Sequence, residues 1–132
     1  MTPEVQLRLS RAKVFLRQAI NRDPLSEPES VIDAGYYAMF HAAVAVLIAR
    51  TGTAPKTHSS VVGRFGALVN HLGEAERLAG KTINRTLDDR LVSHYDPEPE
   101  DLQRRAAMIK AEVPEFVELC ERLCSSALGP PA

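Results

Sequence analysis

Arg90 and His94 stand four positions apart, with Tyr95 directly after them and Asp96-Pro97 behind. On a helix that spacing stacks the guanidinium and the imidazole on one face. An arginine fork donates two parallel bonds to phosphate oxygens. An imidazole exchanges a proton near neutrality, and a phenol can orient either group. Together they make a minimal kit for cleaving RNA without a metal. His94 would deprotonate a 2′-hydroxyl, Arg90 would bind the scissile phosphate and offset charge on the phosphorane, and Tyr95 would orient them. The plainer alternative ties Arg90 to a carboxylate, either Asp88, Asp89 or one from another helix, and leaves His94 to finish a helix end.

Other polar residues are set among apolar ones. Val31 to Ala49 is greasy around its whole circumference, and Asp33 and His41 are its ionisable side chains apart from two tyrosines. Such a helix belongs at the centre of a bundle, where every face meets protein. Its buried carboxylate and imidazole then need partners. Asp33, Tyr37 and His41 are the expected supporting network of a cleft, or else a hydrogen-bonded core that fixes helix register. Lys56 and His58 flank Thr57, a candidate N-cap, and form the expected phosphate or RNA contact. Cys120 and Cys124 share a helical face but suit neither a disulfide nor a metal site; packed thiols in a reducing cytoplasm are expected.

Five helices must position these groups, and residues 1–132 read as one all-α domain, an up-and-down bundle of four to five helices. Helix 1 covers 1–23, opened by Thr2 and Pro3 and rich in arginine. Helix 2 covers 27–51, with Ser26 as its expected cap. Helix 3 covers 57–71; Gly63 and Gly66 weaken it unless another helix approaches closely. Helix 4 covers 74–95, with Gly80 a candidate interruption. Helix 5 covers 99–125, with Pro114 expected to kink it. A helix 2 with no polar face also suggests that a second copy covers part of the bundle.

Bulk properties narrow the classes. A formal charge of −1 gives no global basic field to draw nucleic acid, and 25% charged residues against 45% hydrophobic is ordinary for a soluble domain. The first 20 residues alternate charge with apolar positions, so no leader is expected. The interior Asp33 and His41 argue against helix 2 as a membrane span.

The strings Gly35-Tyr36-Tyr37-Ala38-Met39-Phe40-His41-Ala42-Ala43, Pro55-Lys56-Thr57-His58 with the Val61 to Gly66 turn, and Arg90-Leu91-Val92-Ser93-His94-Tyr95-Asp96-Pro97 resemble signatures of the HEPN-domain family. They occur in the family's order and spread over roughly two-thirds of the chain. The resemblance implies an all-α bundle that commonly dimerises. Many members are metal-independent RNases without cofactors, several being toxins of toxin–antitoxin pairs. Many are encoded beside a minimal nucleotidyltransferase, so the expected partners are a second copy, RNA and a nucleotidyltransferase-like antitoxin. The alternative is a non-catalytic module that docks such a partner. Family RNases separate the arginine from the histidine by four to six residues, whereas three separate Arg90 from His94.

Overall fold

A computed structural model describes residues 1–95 and 99–126, the side chains of residues 95, 99 and 100 excepted. It contains α1 (Pro3–Asn21), α2 (Pro28–Thr51), α3 (His58–Val69), α4 (Glu74–Tyr95) and α5 (Pro99–Ser126), and no strand among the described residues. The all-α reading holds.

The helix ends follow local chemistry. Thr2 accepts from the Val5 amide at 3.3 Å and Pro3 takes the first helical position. Thr57 caps α3 by accepting from the Ser60 amide at 3.2 Å. The expected Ser26 cap of α2 does not form. The cap position falls on Glu27, which makes no side-chain cap bond, and Pro28 removes one amide that a cap would otherwise serve. Gly52 ends α2 in the left-handed region at φ 91°, with its amide bonded to the Ile48 carbonyl. Helix α3 stops at Val69, two residues earlier than expected, because the Leu72 amide bonds back to the Val69 carbonyl in a tighter turn.

The candidate interruption at Gly80 does not break its helix. Gly80 lies within α4, where a Cβ would stand 3.2 Å from Gly66 Cα; the two glycines let α3 and α4 cross closely. Pro114 lies within α5, with Val113, Phe116 and Val117 around it buried in the core.

Helix α2 is the hub. It packs against α1, α3, α4 and α5. Thirteen of its residues are buried, and its most apolar window is 72% buried although its length and hydropathy would suit a membrane span. One chain therefore covers most of this helix by itself. The covering comes partly from α5, which approaches so closely at Gly35 that a Cβ there would lie 2.3 Å from Ile109 Cγ2. Cys120 and Cys124 are buried free thiols, both pushed up in pKa by burial foremost.

Candidate functional site

Consecutive residues of a helix point in different directions, and α4 uses this at Asp89 and Arg90. Asp89 turns toward α5, where Arg105 meets it at 2.5 Å and Arg85 of its own helix at 3.7 Å. Burial pushes the Asp89 carboxyl up, and the Arg105 hydrogen bond opposes that. Arg85 also pairs with Glu112, so this face of α4 is fastened to α5. Arg90 turns instead toward α2.

There Arg90 Nε lies 3.4 Å from Asp33 Oδ1, and Nη2 donates to the Tyr37 hydroxyl at 3.1 Å. Its guanidinium carbon sits 5.1 Å from the Tyr37 ring centre and 5.4 Å from that of Tyr36, the range of cation–π attraction. Arg90 thus has the partner from another helix, not Asp88 or Asp89. Its side chain keeps 23% of its surface exposed, so the held fork still meets solvent. Nε and Oδ1 are themselves shielded and face each other as an ion pair without meeting hydrogen-bond geometry.

His94, one turn further along α4, brings Nε2 to 3.6 Å from the same Asp33 oxygen and is about half exposed. The three-residue gap makes this possible. Positions i and i+4 share a face, and one more residue would swing the imidazole about 100° away from Asp33. The Tyr95 side chain lies outside the described residues; Tyr37 supplies a phenol at Arg90.

Asp33, Tyr36, Tyr37, Phe40 and His41 fall at i, i+3, i+4, i+7 and i+8, so one stripe of α2 carries the carboxylate and the aromatic rings. Tyr36 is fully buried and its pKa is pushed up to about 12 by burial foremost, so it remains a neutral phenol. Its hydroxyl and His58 Nδ1 share a hydrogen bond at 2.8 Å, with the donor set by the imidazole tautomer. Burial and, after it, Arg90 lower the His58 pKa. The His58 ring stacks on Phe40 at 4.4 Å.

His41 accepts from Arg8 Nη1 at 3.1 Å and stacks on Phe15 at 5.6 Å. Burial, then the charges of Arg8 and Arg11, push its pKa down to about 4. His41 lies 6.5 Å, ring to ring, from Tyr37 but makes no hydrogen bond to Asp33 or Arg90, so it belongs to the aromatic floor. Lys56 lines a separate cavity with His58 and Arg8.

The structure therefore gathers Asp33, Tyr37, Arg90 and His94, and joins His58 to them through Tyr36. Sequence reasoning missed Tyr36, Phe15, Phe40 and Arg8. For Tyr36 and Phe40 the signal was present in the helical stripe that begins at Asp33; for Phe15 and Arg8 the partners lie on another helix and no local pattern marks them. The assembled groups can bind a phosphate at Arg90 and exchange a proton at an imidazole that stands beside a carboxylate.

The family model described as HEPN domain matches residues 5–123. The chain is 27% identical over 121 residues to a protein of Methanocaldococcus jannaschii named "Putative toxin MJ0605", covering 91% of this chain and 83% of that one. It is 28% identical over 111 residues to the UPF0332 protein PH1297 of Pyrococcus horikoshii, covering 84% of this chain and 72% of that one.

Proposed function

Because the chain belongs to the HEPN-domain family, we propose that it is a toxin-type endoribonuclease that cleaves RNA by transesterification without a metal. Arg90 binds the scissile phosphate. His94 takes the proton of the adjacent 2′-hydroxyl, whose oxygen attacks phosphorus. The 5′-oxygen leaves and takes a proton from solvent, so the products are a 2′,3′-cyclic phosphate and a 5′-hydroxyl. Asp33 orients the imidazole and Tyr37 steadies the guanidinium. The observation that carries this reading is Arg90 and His94 meeting one Asp33 oxygen at 3.4 and 3.6 Å while both keep exposed surface. A similarity to a protein named as a toxin supports the biological setting. That setting is a cytoplasmic homodimer held in check by a nucleotidyltransferase-like antitoxin.

Purified protein incubated with single-stranded and hairpin RNA in EDTA tests the chemistry. Cyclic-phosphate ends from the native chain, lost in both Arg90→Ala and His94→Ala, are expected. No cleavage, or equal cleavage by both variants, overturns it.

The second reading is a non-catalytic module that docks such a partner, and the Asp33–Arg90 ion pair favours it, because a paired guanidinium can serve packing alone. Growth arrest on expressing the chain without a partner, abolished by His94→Ala, separates the two.

A further inference from the structure

Tyr36 is fully buried yet carries a hydroxyl, and a buried hydroxyl needs a partner. Among the described residues, the hydrogen bond that its side chain makes is the one shared with His58 Nδ1, at 2.8 Å. The phenol is thus tied at both ends. Its backbone belongs to α2, and its oxygen is held at the start of α3.

His58 is itself fixed. It is the first residue of α3, directly after the Thr57 cap. Its ring stacks on Phe40 at 4.4 Å with the planes 16° apart, and it meets Tyr37 edge-on at 6.0 Å and 86°. Phe40 and Tyr37 confine the imidazole, and the imidazole confines the Tyr36 oxygen.

The Tyr36 ring in turn borders Arg90, whose guanidinium carbon lies 5.4 Å from its centre. Two other groups touch that guanidinium. The Tyr37 hydroxyl is held by Arg90 itself, through Nη2. Asp33 faces Nε at 3.4 Å without hydrogen-bond geometry. Tyr36 differs from both, because its hydroxyl is anchored from a third helix. Cation–π attraction depends on the ring face presented to the cation, so the tilt of Tyr36 bears on the plane in which the fork lies. Burial first, and then the Arg90 charge, lower the His58 pKa, so the imidazole and the guanidinium also interact through space.

We propose that His58 is a positioning residue for Arg90, acting through the Tyr36 hydroxyl: α3 sets the phenol, and the phenol sets the plane of the guanidinium on α4. That plane decides where Nη1, which makes no hydrogen bond among the described residues, can meet a phosphate. The phosphate contact rests on the ribonuclease reading, whereas the coupling of His58 to Arg90 does not.

Nuclear magnetic resonance of the Arg90 Nε–H group tests the coupling directly, since that nitrogen is shielded from water and lies beside two aromatic rings. His58→Leu and Tyr36→Phe should each displace its resonance in the same direction. The double variant should displace it no further than the larger single change, as expected of two groups acting through one bond. His58→Asn, whose amide offers both a donor and an acceptor to the phenol, should restore the native position. RNA cleavage should follow the same pattern, with kcat/KM lower by about three- to tenfold in each single variant, the loss of one hydrogen bond. Circular dichroism checks folding. If His58→Leu does not fold, Tyr36→Phe decides alone, because it removes one oxygen and keeps the ring. An Arg90 resonance unmoved by Tyr36→Phe, additive displacements in the double variant, or no recovery in His58→Asn would overturn the proposal. A native chain that shows the coupled displacements but cleaves no RNA overturns the ribonuclease reading and leaves the positioning role standing.

Discussion

Asp33 on α2 and His94 on α4 meet at 3.6 Å, carboxylate oxygen to imidazole nitrogen. The carboxylate stands beside the half-exposed ring, beyond hydrogen-bond distance, where its charge favours a ring turned toward it. Asp33→Asn keeps the size of the side chain and removes its charge. We expect turnover of RNA to fall about 10- to 100-fold with KM changed less than about threefold, since orientation matters at the transition state more than in binding. Steady-state cleavage kinetics check this; a change confined to KM would place Asp33 in substrate binding instead.

His41 makes stability depend on pH. Its folded pKa, pushed down to about 4, lies below the value of about 6.5 expected in the unfolded chain. The unfolded state therefore binds the extra proton first. The contribution is fully present above pH 6.5 and is lost as pH falls toward 4. Because the ring is partly solvated, about 1–2 kcal/mol is expected over that window, well under the full conversion of the shift. Urea melts at several pH values check this. His41→Gln should flatten the slope between pH 6.5 and 4.

Gly35→Ala tests the seam between α2 and α5. The new Cβ would fall 2.3 Å from Ile109 Cγ2, and Ile109 is fully buried and stiff at its branch. Overpacking of this kind costs about 1–3 kcal/mol despite alanine's better helix propensity. Thermal unfolding should show the loss. Pairing the change with Ile109→Val should not restore stability, because valine keeps a Cγ2 branch; Ile109→Ala should recover part of it.

The architecture was legible where local chemistry dictates it. Thr2-Pro3, Thr57 and Gly52 mark helix ends through groups that act within a few residues. Ser26 misled because Pro28 had already taken over the start of α2. At the site, the face shared by Arg90 and His94 follows from spacing alone. Their common carboxylate does not, since Asp33 reaches them only through the way α2 and α4 cross. The same holds for Arg8 and His41, which lie on separate helices.

Asp89 and Arg90 hold α4 from two sides, one anchored to Arg105 of α5 and the other to Asp33 and Tyr37 of α2. Twisting α4 about its own axis to improve either grip would loosen the other. The angular setting of Arg90 is therefore inherited from an ion pair on another face of the same helix. A change at Arg105 would therefore reach the Arg90 guanidinium by rotating the rod that carries it.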